Sequence, residues 1–187
     1  MWALGDRSEE GGENGWSAHA AFAALRSNLT LRSVSFRHAL RFGAALGAGV
    51  ATYWLLGMSE HGFWIPLTIL FVLRPEQDET FRRLILRAVG TLVGLLIATV
   101  LAEWLRGDGV AIGLALTIAT AFAYGLLTVQ YALFTAAITT YAVLLADSIG
   151  ETALRAAGQR ALATAIGIGI AGAAFVIWSN SDRDLRR

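Results

Sequence analysis

Long uncharged stretches divide this chain. Residues 42–59, 88–102 and 161–181 each suit one membrane-crossing helix once their ends are extended toward the roughly 20 residues that a bilayer requires. Between 110 and 146 there is no charge in 37 residues. As a single helix that run would reach about 55 Å against a hydrocarbon core of about 30 Å, so it predicts two helices turning near Tyr124, Gly125 and Gln130. Residues 62–73 are awkward, only 12 positions with Pro66 inside and Arg74 and Pro75 closing them; they are expected to form a further span, broken or extended by polar residues. The pattern predicts an all-α membrane protein whose six transmembrane helices occupy residues 42–178.

Within the spans the spacing is regular. Arg87, Thr91, Gly94 and Ala98 recur at steps of four, three and four, which puts them in one narrow stripe of a helix, while Val89, Val93, Leu96 and Val100 take the opposite face. The same stripe returns as Arg160, Thr164, Gly167 and Ala171. "RAVGTLVGLLIA" at 87–98 and "RALATAIGIGIA" at 160–171 agree at six places, 73 residues apart, and "PLTILFVL" at 66–73 echoes "AITTYAVL" at 137–144. These pairs begin the third and sixth spans and fill the second and fifth. The chain is therefore expected to be two three-helix repeats, and units with an odd number of spans must point in opposite directions across the membrane. Gly43 with Gly47, and Gly90, Gly94 and Gly167, are expected to let helices approach closely.

Composition agrees with a lipid bilayer as the chain's solvent: 56% hydrophobic and 16% charged residues, with a mean hydropathy of +0.56. All 15 basic residues are arginine and the net charge is +1, so no basic surface for nucleic acid is expected. There is no cysteine, and His19, His38 and His61 have no metal-ligand spacing. No nucleophile, base and orienting acid converge in a motif, so no enzyme, cofactor or metal is expected. Residues 1–16, rich in glycine and acids, predict a disordered cytoplasmic tail; 17–41 predict an amphipathic interfacial lead-in helix; 179–187 form a cytoplasmic tail. With six spans, 12 of the 15 arginines fall on the side of the termini, which the positive-inside rule makes cytoplasmic.

A guanidinium a turn inside a span either snorkels to the headgroups or faces a wet cavity and holds an anion. The second possibility makes Arg87 and Arg160 candidate carboxylate ligands, with Thr91, Thr164, Thr68, Trp64 and Tyr131 as candidate substrate-binding neighbours. No acidic residue lies mid-span to relay a proton. His61, beside Glu60, sits in a loop.

The residues Trp64, Leu67, Thr68, Val72, Arg74 and Pro75, followed by Arg87, Gly90, Thr91 and Gly94, resemble the FUSC family, the fusaric-acid-resistance-like and aromatic-acid-exporter-like membrane proteins of bacteria. The resemblance covers about residues 28–187. It implies a six-span module of the bacterial inner membrane that exports aromatic or other organic carboxylates and assembles as a homodimer. Such proteins commonly continue into a cytoplasmic domain and often a second membrane module, whereas this sequence stops nine residues after Trp178; it is expected to be one module alone, either a natural half-size protein or a fragment. A passive anion channel, or a module that anchors or dimerises a missing domain, is the alternative.

Overall fold

The computed structural model describes residues 33–58, 61–74 and 76–184. The expected tail at 1–16 and most of the expected lead-in at 17–41 lie outside the described residues, as do 185–187. Among the described residues the chain forms six helices and no strand: α1 (Val34–Leu55), α2 (Trp64–Val72), α3 (Gln77–Trp104), α4 (Gly109–Leu126), α5 (Tyr131–Ser148) and α6 (Ala153–Asp184). From His38 onward they belong to one compact unit. Residues 34–41 belong to the same helix as 42–55, and α6 carries on through most of the expected C-terminal tail.

Four segments are long and apolar enough to cross a membrane: Asp78–Trp104, Gly109–Leu126, Tyr131–Ser148 and Ala153–Ile177. The uncharged run at 110–146 is indeed broken into two helices, at 127–130. The stretch expected as a span at 62–73 forms a short helix. Its helix has nine residues, about 14 Å at 1.5 Å per residue, under half of a hydrocarbon core. Pro66 is tolerated in its first turn, where the missing N–H has no helical acceptor. At its other end Leu73 is extended, and the chain is then tied down by Thr80: the Arg74 N–H donates to Thr80 Oγ1 at 3.0 Å, and that hydroxyl lies 3.1 Å from the carbonyls of Arg74 and Glu76. This short segment runs back along α1. Gly62 packs on Tyr53, and the Arg41 guanidinium donates to the Arg74 carbonyl at 2.6 Å.

The remaining turns follow local chemistry. Gly107 and Gly150, with φ of +87° and +99°, adopt the left-handed conformation that ends α3 and α5 without a Cβ penalty. Asp108 then caps α4, accepting the N–H groups of Val110 and Ala111 at 3.1 and 3.0 Å. Asp147 at the end of α5 accepts the Ala153 N–H at 3.0 Å and so ties α5 to the start of α6.

The polarity is that of a lipid-embedded protein. Leu92 and Leu96 on α3 are each 66% exposed, and Val89, Val93 and Val100 share that outward face. Inside, alongside Ile65, Ile69, Val72, Val143 and Leu144, lie many small and polar side chains: Thr68, Thr91, Thr135, Thr139, Thr140 and Thr164, with alanines and three arginines, Arg41, Arg87 and Arg160. Where lipid is as apolar as leucine, burying leucine gains nothing, and close backbone approach holds helices together instead.

Glycines mark those approaches. A Cβ at Gly94 would lie 2.5 Å from the Ala136 carbonyl oxygen and 2.8 Å from Thr139 Cβ on α5. A Cβ at Gly167 would lie 3.0 Å from the Ile65 carbonyl oxygen and 2.7 Å from Thr68 Cβ on α2. The register is the same: Ala136 and Thr139 each stand 71 residues beyond Ile65 and Thr68. Gly90 likewise meets the Ala132 carbonyl and Thr135. Gly43 and Gly47 depart from expectation, since a Cβ at either meets nothing within 4 Å. The packed face of α1 is instead Arg41, Ala45 and Gly49, one residue per turn, because Ile65 and Ile69 of α2 lie against that side.

Candidate functional site

The arginine stripes of α3 and α6 point inward. Arg87 is 1% exposed and Arg160 2%, and neither snorkels. Counted from the midpoints of the spans 78–104 and 153–177, they lie four and five residues away, about 6 and 8 Å along the helix axes. Both residues thus fall within about 8 Å, along the axis, of the middle of helices long enough to cross a membrane.

Their neighbours are aromatic. Arg160 Cζ sits 3.4 Å from the centroid of the Trp64 ring, and Arg87 Cζ sits 5.7 Å from that of Phe71. Both rings belong to α2, seven residues and hence two turns apart on one face. The Nε, Nη1 and Nη2 atoms of both arginines have no hydrogen-bond partner among the described residues, and no ion pair there reaches them: the carboxylates of Glu79, Glu103 and Glu151 pair with Arg83, Arg106, Arg155 and His61. The Tyr131 hydroxyl faces Arg87 without closing a hydrogen bond of normal geometry.

Hydroxyls complete the lining. Thr68, Thr91, Thr139 and Thr164 are buried with Oγ1 unpartnered among the described residues, as is Tyr131 Oη. Other buried threonines are satisfied, Thr135 by the Tyr131 carbonyl at 2.9 Å and Thr140 by the Gly94 carbonyl at 3.1 Å. The open donors belong to the helices that carry the two arginines and to the helices packed against them. A buried charge without a partner is strongly destabilising, so this chemistry of cations and hydroxyls suits an anion.

Beside it stands Arg83, one turn before Arg87. Its guanidinium bonds Glu79 at 2.8 Å, donates to the Phe71 carbonyl at 3.4 Å and lies 4.7 Å from the Tyr131 ring centroid. Of the seven residues expected at the site, the structure brings Arg87 to Tyr131 and Arg160 to Trp64, sets Thr68 against Gly167 of α6, and buries Thr91 and Thr164 one turn along from the two arginines. Phe71, Arg83 and Thr139 were not anticipated. Thr139 was within reach, since it matches Thr68 in the echo between the second and fifth spans; Phe71 lies two turns beyond Trp64.

Comparison with known proteins fits this geometry. The family model for fusaric acid resistance protein-like proteins matches residues 46–174. The chain is similar to the inner membrane protein YccS of Escherichia coli, 38% identical over 156 residues that cover 82% of this chain and 21% of that protein. It is also similar to YhfK of the same organism, 36% identical over 123 residues that cover 64% of this chain and 17% of that protein. The chain thus spans about a fifth of the length of these curated relatives. No solved structure matches it. Its apolar helices, its inward-turned polar stripes and the family match over most of its length agree: the chain belongs to the fusaric acid resistance protein-like family of membrane proteins.

Proposed function

We propose that this chain is the membrane module of an exporter of organic carboxylates, aromatic acids among them, in the bacterial inner membrane. One observation carries the reading: two guanidiniums, Arg87 and Arg160, buried near the midpoints of membrane-length helices, with no anionic partner among the described residues. A carboxylate is a matching ligand, since the guanidinium edge presents paired N–H groups to two oxygens at once. Thr91 and Thr164, one turn along from each arginine, supply neutral donors to the same ligand. Flux in proteoliposomes tests this. Carboxylate uptake that follows a pH gradient supports the exporter, gradient-independent flux supports a passive anion channel instead, and absence of flux for every carboxylate supports an anchoring or dimerisation module.

The same reading includes six crossings, both termini in the cytoplasm, two inverted three-helix repeats and assembly as a homodimer. The antiparallel run of 62–74 along α1 supports a short second crossing, non-helical backbone being tolerated at membrane depth where protein buries it. The equal register of Gly94 on α5 and Gly167 on α2 supports the repeat. Cysteines introduced at Gln77 and at Gly125 are expected to react with a membrane-impermeant thiol reagent from the cytoplasmic side alone. Labelling of either from outside intact cells would overturn the orientation and the inversion together.

A further inference from the structure

The two polar stripes continue past their arginines, and there they differ. On α3 the steps of four run back from Thr91 and Arg87 to Arg83 and Glu79, whereas the same register on α6 places Ala156 and Thr152 where α3 has Arg83 and Glu79. The nearby Glu151–Arg155 pair lies off that line, with Arg155 exposed and the Glu151 carboxylate 3.2 Å from His61. Of the two stripes, only that of α3 adds a second guanidinium and a carboxylate in line with the buried cation. Exposure falls along it: the Glu79 and Arg83 side chains are 39% and 21% exposed, and Arg87 is 1%. Arg87 is covered, so a ligand reaches it only when a neighbour moves.

Arg83 is the neighbour placed to do so. Its Nε donates to Glu79 Oε1 at 2.9 Å and its Nη2 lies 2.8 Å from the same oxygen, so the edge that fits two carboxylate oxygens holds one. Its Nη1 reaches the Phe71 carbonyl at a long 3.4 Å, and its Cζ stands 4.7 Å from the Tyr131 ring centroid. The Phe71 ring also adjoins Arg87, at 5.7 Å from Cζ, so both arginines border one residue of α2. Long side chains on a helix lean toward its N-terminus, which lays the Arg87 side chain over the turn that carries Arg83, and residues four apart are neighbours on a helix surface. A carboxylate bound at Arg87 is therefore within reach of Arg83. Partly exposed ion pairs one turn apart contribute little, and a two-pronged guanidinium–carboxylate contact is the stronger one. We propose that Arg83 is a second ligand for the carboxylate held by Arg87, kept in reserve by Glu79, whose side chain occupies Arg83 until a ligand carboxylate displaces it.

This rests on the reading of Arg87 as a carboxylate ligand, and the experiment separates the two. Purified protein in nanodiscs is titrated calorimetrically with benzoate and with butyrate at one ionic strength. Glu79→Gln, which removes the competing charge and keeps the shape, is expected to tighten binding of both about twofold to fivefold, the range of a partly exposed ion pair. Arg83→Gln is expected to weaken both by roughly tenfold or more, as the loss of a charge-assisted hydrogen bond does. In the double variant the Glu79→Gln gain is expected to vanish, which a mere change in net charge would not produce. Circular dichroism and gel filtration check each fold, and Arg83→Lys, which keeps the cation beside Tyr131 but not its two-pronged edge, replaces Arg83→Gln if that variant does not fold and is likewise expected to bind more weakly. Unchanged or weaker binding in Glu79→Gln, or an equal gain with and without Arg83, overturns the role of Arg83 and leaves the carboxylate site at Arg87 intact. No binding of either anion to folded wild-type protein overturns the carboxylate reading as well.

Discussion

Gly94→Ala and Gly167→Ala are each expected to lower the thermal stability of the detergent-solubilised protein sharply, and the leucine variants to prevent a monodisperse fold. The obstacle is backbone. A Cβ at Gly94 would press into the Ala136 carbonyl at 2.5 Å, and one at Gly167 would lie 3.0 Å from the Ile65 carbonyl. Overpacking costs about 1–3 kcal/mol where side chains can yield; here α3 must move off α5, or α6 off α2. Gly43→Ala and Gly47→Ala serve as controls, since a Cβ there meets nothing within 4 Å, and alanine is the better helix former by roughly 1 kcal/mol. Their stability is expected to hold or rise slightly. Equal melting behaviour for all four variants would mean that helix contact in this protein is not set by these approaches.

The second large effect belongs to Arg87. Arg87→Lys is expected to weaken carboxylate binding measured from the cytoplasmic face nearly as much as Arg87→Ala does. Lysine keeps the charge but has neither a planar edge for two oxygens nor a flat face to lie on Phe71. Loss of one charge-assisted hydrogen bond of about 1.5–3 kcal/mol corresponds to a drop of roughly 10-fold to 100-fold. Stability is expected to move the other way. Replacing a buried unpaired cation with an apolar side chain of similar length removes a desolvation penalty, so Arg87→Met should melt higher than wild type in ligand-free buffer while binding is lost. A merely structural arginine would behave differently, and Arg87→Met would then melt lower. Wild-type binding and flux in Arg87→Lys would remove the carboxylate clamp at this position.

Much of the fold could be read from charge and period. The uncharged runs place one helix each over 88–102 and 161–181 and two over 110–146, although α3 and α6 begin 11 and eight residues earlier, and the step of four, three and four from Arg87 to Ala98 names the inward face of α3 that the structure buries. What stayed hidden was decided between helices. Gly43 and Gly47 form a local motif, yet α1 turns Ala45 and Gly49 inward because of where Ile65 and Ile69 stand on another element. The brevity of α2 has the same kind of origin: an apolar run of its length fits a helix of any extent until its flanks are tied, by Thr80 at one end and Tyr53 at the other. At the site, the arginines and threonines were legible as polar groups in apolar spans. Phe71 was not, because a phenylalanine in an apolar helix carries no signal of its own until the guanidinium beside it is known.

The two rings that adjoin the buried cations ride on one rod. Trp64 and Phe71 are the first residue and the last but one of a nine-residue helix, with non-helical chain on both sides. No intervening joint lets one ring shift alone along that axis. A slide of α2 against α3 and α6 therefore changes the surroundings of Arg87 and Arg160 in the same stroke, so that two sites about 10 Å apart share a single mechanical coordinate.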